Sequence, residues 1–349
     1  MKHIIGGNPA HAIPQSKTVT VEEDFAGQRL DNFLMRELKG VPKTHVYRII
    51  RSGEVRINKG RASADTRVQA GDLVRLPPVR QSERALEKQQ AMQAPSAQIV
   101  ASMQHKTWAI LFEDAYFLAV DKPAGVAVHG GSGVSFGVIE QLRMSRPQEK
   151  FLELVHRLDR ETSGILLVAK KRSALTHLQD QFRNRATDKV YLAMVAGAWP
   201  ANRKVLDQPL FKYVVAEGKD QEERRVKVVS RDDPNGMPSL TLVKVRGTST
   251  PDADGQRYSL LEVTIKTGRT HQIRVHLASQ GMPIVGDDKY GDFDRNRALA
   301  RHPGLRRMFL HAWSLQCNHP LTGERIALRA ELPSELSQFL HHVMPSTAA

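Results

Sequence analysis

The stretch HRLDRETSGILLVA, at residues 156–169, decides how the rest of this sequence is interpreted. Residues 165–169 form a short, continuous run of bulky apolar side chains, which is typical of a strand buried on both faces. The charged loop before this run contains one aspartate, Asp159, and ends at Gly164, which can adopt a turn that side chains disfavour. Because proteins commonly place reactive groups on polar loops supported by rigid strands, Asp159 is a candidate for a functional residue.

Considered alone, the loop allows a second interpretation of Asp159. Its carboxylate could pair with Arg157 or Arg160 in an ordinary capped loop. The wider pattern decides against this, since residues 156–164 match every fixed position of H-R-L-D-x-x-T-S-G, the catalytic signature of the RluA-type pseudouridine synthases. The chain therefore resembles this family, and the resemblance implies an isomerase that converts uridine in RNA to pseudouridine.

The composition independently favours an RNA partner. The 349 residues include 51 lysines and arginines against 37 acidic residues, which gives a net charge of +14 and a pI near 10.0. This excess is the electrostatic footprint of a protein that binds a phosphate backbone. A soluble basic protein without such a partner, or one attracted to acidic membranes, would share it, so charge alone does not decide the function.

Three further features limit the class of protein. No apolar run approaches the roughly 18 residues that a membrane-spanning helix needs. Residues 1–17 contain one apolar pair, Ile4 and Ile5, and so lack the core of a signal peptide. Cys317 is the single cysteine, which excludes an internal disulfide and a cysteine-based zinc site. We therefore expect a cytoplasmic protein, monomeric and without membrane contacts.

Changes of composition along the chain predict four parts. They are a flexible arm at residues 1–18, a small basic domain at 19–80, a linker at 81–106 and a catalytic domain at 107–340. The linker is rich in Gln, Ala, Ser and Glu and has no sustained hydrophobic periodicity.

The small basic domain is predicted to contain two helices followed by a hairpin. Apolar residues recur at helical spacing, at Leu30, Phe33, Leu34 and Leu38 and again at Val46, Ile49 and Ile50. Thr44 is the predicted cap of the second helix, and Gly53 its end. Alternating residues then predict strands at 55–57 and 73–76.

This order of elements resembles the S-four RNA-binding domain, which is named after a small-subunit ribosomal protein. Basic side chains outside the apolar faces are expected to contact RNA phosphates, namely Arg29, Arg36, Lys43, Arg48 and Arg51. The alternative is a small α+β domain whose charged face is merely solvated.

The catalytic region mixes strands with helices. Strands are predicted at 109–112, 116–120, 190–195 and 260–265, and helices at 136–144 and 173–184. This order favours an α+β fold over a regular alternating parallel sheet, and the resemblance implies a mixed, largely antiparallel sheet. Residues 252–255 are polar and turn-rich, and we predict an exposed insertion there.

Three other segments extend the resemblance over most of residues 108–332: 189–191, 267–277 and 283–291. Alone, Tyr191 would be interpreted as a core residue, and residues 267–277 as a nucleic-acid patch or a solvated helix. The resemblance instead implies that Tyr191 stacks on the target base, that Arg157 takes its place in the RNA stack and that Arg274 pairs with Asp159.

The subgroup of the family is indicated by the strings at residues 127–133 and 135–140, AVHGGSG and SFGVIE. They resemble members that modify several uridines of large-subunit ribosomal RNA, which is therefore the expected substrate. RNA contacts are also expected from His129, Arg269 and His271. The resemblance is weakest over residues 211–255.

The proposed chemistry explains these residue types. The bond between the ribose anomeric carbon and the uracil nitrogen must break, and carbon 5 must then take the place of the nitrogen. A carboxylate serves either as a covalent nucleophile or by removing a ribose proton, and both routes remain open. A stacked base must first be flipped out, at a cost of a few kcal/mol. A cation beside Asp159 would keep the carboxylate ionised and oriented.

Competing functions were weighed against this one. His156, His271, His276 and the pair Asp287–Asp288 could bind a metal, but two histidines five residues apart do not share a helix face. We therefore predict neither a metal nor, without a glycine-rich phosphate loop, a nucleotide cofactor. An RNA nuclease would need metals or paired histidines. The main alternative is a non-catalytic ribosomal-RNA-binding assembly factor, which would have no need for the aspartate loop.

Overall fold

The computed structural model describes residues 16–38, 41–79, 108–130, 136–217, 221–252 and 254–345. The chain divides into two compact units, Met1–Lys106 and Thr107–Ala349. The predicted linker and all but the last three residues of the predicted N-terminal arm lie outside the described residues. None of the helices in the described ranges has the length and apolar character needed to cross a membrane.

The first unit contains a four-stranded antiparallel sheet with the order β1-β4-β2-β3 and two helices. The strands are β1 (Lys17–Thr20), β2 (Arg56–Ile57), β3 (Gly60–Arg61) and β4 (Leu73–Leu76), and the helices are α1 (Leu30–Glu37) and α2 (Lys43–Arg51). The predicted apolar residues of both helices form the core with Val55, Val68 and Val74. The two helices and the hairpin are therefore confirmed.

Two local predictions for this unit were wrong. Thr44 does not cap α2, because Pro42 is the residue before the first turn and no side chain accepts a hydrogen bond there. Proline has its φ fixed near the value that a helix start needs, so the chain begins the helix without a polar cap. Lys17 and Thr18, which the sequence suggested as part of the arm, begin β1 and pair with Leu76 and Arg75.

The second unit is built on a ten-stranded sheet in which β10-β13-β14-β9-β15-β8-β6-β5 are neighbours, with β16 beside β15 and β7 beside β8. The strands are β5 (Ala109–Glu113), β6 (Phe117–Lys122), β7 (Glu153–Leu154), β8 (Ser163–Ala169), β9 (Asp188–Ala196), β10 (Val205–Leu206), β13 (Thr241–Thr248), β14 (Tyr258–Ile265), β15 (Leu310–Asn318) and β16 (Arg325–Arg329). Strands β11 (Leu210–Glu217) and β12 (Gln221–Val228) form a separate hairpin. The helices are α3 (Val138–Ser145), α4 (Arg172–Arg183), α5 (Gln272–Ser279), α6 (Phe293–Arg301) and α7 (Ser334–Val343).

The sheet is largely antiparallel, as predicted, and its one parallel contact supports the site. Strand β8 runs parallel to β15, with Ser163 beside His311 and Gly164 beside Ala312. Gly164 has φ +109°, and a Cβ atom at this position would lie 2.3 Å from the carbonyl oxygen of Ala312. The glycine of the signature is therefore required for the close approach of two central strands.

The sequence indicated less structure in residues 205–255 than the unit contains. This region provides β13, next to β14 in the main sheet, and the hairpin of β11 and β12. Asp252, Asp254 and Gly255 lie between β13 and β14 and are exposed, as expected of an insertion. No element had been predicted after residue 291, where β15, β16, α6 and α7 are found.

Candidate active site

Lys122 holds the loop that carries Asp159 through hydrogen bonds to backbone carbonyls. This lysine is completely buried at the end of β6. Its Nζ donates hydrogen bonds to the carbonyl oxygens of Pro123 (2.9 Å), Val126 (2.9 Å) and Arg160 (3.0 Å). The amide of Gly125 also donates to the carbonyl oxygen of Arg160, at 2.9 Å. Burial lowers the pKa of Lys122 to about 7. The carbonyl of Arg160, the residue next to Asp159, is therefore held by the side chain of Lys122 at the end of β6 and by the amide of Gly125.

His156 fixes the start of the same loop. Its ring stacks on Phe182 of α4 with 4.8 Å between ring centroids, and its Nε2 accepts the amide hydrogen of Leu167, at 3.1 Å. Burial and nearby Lys189 lower the pKa of His156 to about 3. The ring is therefore neutral at physiological pH, and these contacts suit it to holding the loop rather than to transferring protons.

Arg274 lies between the carboxylates of Asp287 and Asp159, and its Nη2 also donates to Asp288, at 3.3 Å. Its Nε and Nη2 each donate to Asp287, at 2.7 Å, in a two-pronged ion pair that is nearly inaccessible to water. Its Nη1 is 3.6 Å from Oδ2 of Asp159. Burial opposes the charge on Arg274, but the hydrogen bonds and charge of Asp287 raise its pKa above the ordinary value. The guanidinium is thus held in one plane by Asp287, and its remaining edge faces Asp159.

Asp287 was missed as a site residue because only a metal-binding role was considered for it. Its carboxylate accepts the amides of Lys289 (2.8 Å) and Tyr290 (3.0 Å) as well as the guanidinium. The turn that makes this possible needs Gly286, which has φ +75° and whose Cβ would meet the carbonyl oxygen of Arg307 at 2.1 Å. The signal in the sequence was a glycine followed by two aspartates, in a segment that the resemblance already covered.

His271 lies near the same carboxylate oxygen of Asp159 as Arg274. It precedes α5 in a left-handed conformation, with φ 53° and ψ 21°. Its Nε2 is 4.0 Å from Oδ2 of Asp159, and its Nδ1 is 2.8 Å from the hydroxyl of Tyr290. Burial lowers the pKa of His271. When the tyrosine hydroxyl donates to Nδ1, the ring proton of the neutral histidine is on Nε2 and faces the carboxylate.

One pocket of about 670 Å³ is lined by the site residues that were predicted in the catalytic domain. Tyr191 forms part of its wall, is 8% exposed and has its pKa raised by burial and by the charge of Asp159. Arg157 is exposed. Seven predicted site residues line this pocket: His129, Arg157, Asp159, Tyr191, Arg269, His271 and Arg274. Their roles remain predictions, but the chain brings them to one place.

His129 is held at the pocket by α3. The carboxylate of Glu140 accepts hydrogen bonds from the amides of Gly130 (3.0 Å) and Gly137 (2.8 Å). Residues 131–135, between these two glycines, lie outside the described ranges. A Cβ on Gly137 would lie 2.5 Å from the backbone of His129. Gly137 therefore allows the main chain of His129 to lie directly against the start of the helix.

The five RNA-contact candidates of the first unit fall into two groups. Arg29 pairs with Asp31 (2.8 Å), and Arg36 pairs with Glu37 (2.7 Å) while its guanidinium carbon lies 3.1 Å from the ring centroid of Phe25. Lys43, Arg48 and Arg51 are exposed along α2. Only the second group presents its charges to solvent without a carboxylate partner in the described residues.

The residues weighed as metal ligands have other partners. Asp287 holds Arg274, and His276 lies within hydrogen-bonding distance of Thr241 and Ser239 (2.8 and 3.0 Å). Within the described part of the chain, no group of three or more His, Cys, Asp or Glu side chains is placed to hold a metal ion.

Comparison with known proteins agrees with both resemblances. Residues 116–279 match the family model described as RNA pseudouridylate synthase, and residues 28–74 match the S4 domain. Ribosomal large subunit pseudouridine synthase C of Pasteurella multocida is 48% identical over 327 residues, which cover 93% of each chain. The protein of the same name from Escherichia coli (strain K12) is 47% identical over 331 residues, covering 94% of this chain and 96% of the relative.

Solved structures give the same result. Human RNA Pseudouridylate Synthase Domain Containing 4 superposes with a TM-score of 0.55 and 26% identity, over 70% of this chain and 95% of the human one. Human RNA Pseudouridylate Synthase Domain Containing 1 gives a TM-score of 0.52 and 28% identity, over 65% and 84% of the two chains.

Proposed function

The chain belongs to the RNA pseudouridylate synthase family, and we propose that it converts specific uridines of large-subunit ribosomal RNA to pseudouridine. The observation that carries the proposal is the pocket in which Asp159 faces Arg274, with Tyr191 in the same wall. The choice of RNA rests on relatives whose printed names specify the ribosomal large subunit and which align with the chain over nearly its whole length.

In the proposed reaction Asp159 is the group that acts on the ribose. Whether its oxygen attacks the anomeric carbon or removes a ribose proton that is later returned, the bonding electrons leave with the uracil. The detached ring then turns and bonds to the anomeric carbon through carbon 5. Carbon 5 afterwards loses its hydrogen as a proton, and the freed ring nitrogen takes up a proton. Arg274 orients this carboxylate, because its Nη1 lies 3.6 Å from Oδ2 of Asp159 while its other edge is already fixed by Asp287. The enzyme must retain the detached uracil during this turn, and the partly enclosed pocket suits that task.

Tyr191 and Arg157 have complementary roles in this proposal. The flipped uracil stacks on the ring of Tyr191, which is protonated because burial and Asp159 raise its pKa. Arg157 is exposed beside the pocket and fills the space that the uracil leaves in the RNA. His129, Arg269 and His271 provide hydrogen-bond donors to the RNA around the target nucleotide.

A non-catalytic assembly factor explains the buried site less well. Such a protein would need basic surfaces, but it would gain nothing from a desolvated ion pair that costs several kcal/mol of desolvation per ion. We further propose that the enzyme acts in the cytoplasm. We also propose that it acts as a monomer, since a single chain supplies all seven predicted site residues that line the pocket.

The proposal is tested by mapping pseudouridines in ribosomal RNA from cells that lack the protein. We expect specific large-subunit sites to lose the modification and to regain it when the wild-type gene is returned. A gene encoding Asp159→Asn should not restore it. If every large-subunit site is still modified in the deletion strain, the proposed substrate is wrong. If Asp159→Asn restores the modification, the proposed role of the carboxylate is wrong.

A further inference from the structure

We propose that the hairpin of β11 and β12 is a docking arm for unpaired RNA nucleotides next to the target uridine. This inference rests on the proposed function and adds a site to it. The hairpin forms a two-stranded sheet of its own, apart from the main sheet. A two-stranded ribbon that leaves much of its surface uncovered gains little stability by itself, so a bound partner would compensate for this.

The apolar packing of the hairpin in the described residues is at its base, and Glu223, farther along, forms an ion pair with Lys289. Leu210 and Val226 are buried together with Val275 of α5, and Val228 and Tyr290 pack around them. Farther along the hairpin, Lys212, Val214 and Arg224 are exposed on the face that contains Val226. The outer part of this face therefore has no apolar cover in the described structure.

The opposite face combines aromatic rings with cations. Phe211 is paired across the strands with Lys227, and Tyr213 with Arg225. The ammonium of Lys227 lies 6.0 Å from the ring centroid of Phe211 and 5.5 Å from that of Tyr213. Aromatic rings beside cations are the arrangement with which proteins bind single-stranded nucleic acid, because every base can stack and every nucleotide carries a phosphate.

Residues 210–228 contain five basic and four acidic side chains, so the preference for RNA over a protein partner rests on the cations that are exposed. Lys212, Arg224 and Lys227 are exposed, and none of them forms an ion pair with any side chain that the structure describes. These three cations lie on both faces of one narrow ribbon, as suits a partner with a continuous line of negative charge. A protein partner would instead need a carboxylate opposite each of them.

The hairpin is connected to the pocket through Tyr290. The amide of Val226 in β12 donates to the tyrosine hydroxyl, at 3.0 Å, and this hydroxyl contacts Nδ1 of His271, at 2.8 Å. His271 in turn lies 4.0 Å from Asp159. Glu223 and Lys289 form a second contact, at 2.5 Å. RNA on the hairpin would therefore lie close to the nucleotide in the pocket, which is why we assign it to neighbouring nucleotides.

The first experiment removes the charges. The full-length variant Lys212→Gln/Arg224→Gln/Lys227→Gln is compared with Lys150→Gln/Arg301→Gln/Arg306→Gln, which changes the net charge equally at exposed positions outside the hairpin. Binding of a large-subunit ribosomal RNA fragment is measured against salt concentration. We expect the hairpin variant to bind more weakly and its log–log salt slope to fall by roughly 0.7–0.9 per lost phosphate contact. Equal losses in both variants would reduce the effect to net charge and overturn the proposal.

The second experiment tests stacking. Tyr213→Ala and Tyr213→Phe are compared on a single-stranded RNA oligonucleotide and on a fully paired duplex of the same length. We expect Tyr213→Ala to weaken binding of the single strand by about 5- to 100-fold, Tyr213→Phe to bind normally, and the duplex to be little affected. An equal loss on single strand and duplex, or none on either, would contradict the docking of unpaired nucleotides.

The outcome is separable from that of the proposed function. If the wild-type protein forms no pseudouridine in the ribosomal RNA fragment, the proposed function is wrong, whatever the hairpin variants bind. If the wild-type protein forms pseudouridine and the hairpin triple variant binds the fragment like the wild type, the docking arm alone is wrong.

Discussion

The basic side chains of the two units differ in burial and in partners. In the first unit, Lys43, Arg48 and Arg51 are exposed along one helix. In the second, Arg274 and Lys122 are 4% and 0% exposed, and each makes several specific hydrogen bonds. Exposed cations act through summed, salt-screened attraction to phosphates, whereas buried ones act through geometry. The same residue types therefore serve affinity where they are exposed and alignment of the reacting groups where they are buried.

This contrast predicts the largest effects at Arg274. Its two-pronged contact with Asp287 determines which edge of the guanidinium faces Asp159. The ammonium of a lysine at this position would keep the charge but not this geometry. We expect Arg274→Lys to lower the single-turnover rate at saturating enzyme by about 100-fold, comparable to the loss of one preorganised donor. RNA affinity and its salt slope should stay unchanged.

Arg274→Met goes further, because it leaves Asp287 as a buried carboxylate without a counter-charge. Breaking a buried pair in this way costs about 3–5 kcal/mol of stability, so the lysine variant is the better probe of catalysis. If Arg274→Lys keeps the normal rate but binds RNA more weakly, Arg274 is an ordinary phosphate contact and the contrast between the units fails.

An effect of intermediate size is expected from His156, which makes the stability of the protein depend on pH. Its pKa is about 3 in the folded protein, against the ordinary histidine value of 6.5 that applies to the unfolded chain. Between these values the unfolded chain binds a proton that the folded chain does not, so stability is complete above pH 6.5 and decreases as the pH falls toward 3. The slope contributed by this histidine reaches about 1.4 kcal/mol per pH unit. His311, with a pKa lowered to about 4, acts in the same direction.

Denaturant unfolding of the wild type and of His156→Gln between pH 8 and pH 4 measures this contribution. Above pH 7 the difference in unfolding free energy between the two proteins should be constant. Below pH 6.5 the wild type should lose stability faster than the variant. Parallel curves over the whole range would show that His156 is not held neutral in the fold.

The smallest effects are expected in the first unit, where arginines with and without a carboxylate partner can be compared. Arg48→Gln and Arg51→Gln should each weaken RNA binding a few-fold and lower the log–log salt slope by roughly 0.7–0.9, without changing the single-turnover rate. Arg29→Gln and Arg36→Gln should change the slope less, since their charges are already paired with Asp31 and Glu37. Equal salt slopes for the two sets of variants would mean that an ion pair with a neighbouring carboxylate does not decide which arginines contact RNA.

Local patterns in the sequence were sufficient for the elements that carry the signature. Strand β8 follows from a continuous apolar run, whereas the role of Asp159 before that run also required the family resemblance. The family resemblance led to Arg274, but spacing could not indicate Asp287, because their contact depends on a turn made after α5 by Gly286. Strand β15 was not predicted since its sequence LHAWSLQCN mixes polar and apolar residues, and its burial comes from lying between β8 and β9.

The hairpin was missed for a related reason. Its inner residues, Leu210 and Val226, are distant in sequence from Val275 and Tyr290, against which they pack. Nothing in the sequence of the two strands indicates this contact locally. The left-handed backbone of His271 is similar, because the constraint on it comes from Tyr290 and not from its neighbours in the chain.

The central claim is that the Asp159 carboxylate carries out the isomerisation, and one measurement tests it most directly. Asp159→Asn keeps the size of the side chain and removes its charge, while Glu161→Gln does the same to the other acid of the loop, which pairs with Arg160. Pseudouridine is counted in a large-subunit ribosomal RNA fragment after a single turnover at saturating enzyme. We predict no product from Asp159→Asn despite near-normal RNA binding, and normal product from Glu161→Gln. Product from a sequence-verified Asp159→Asn protein would contradict the account.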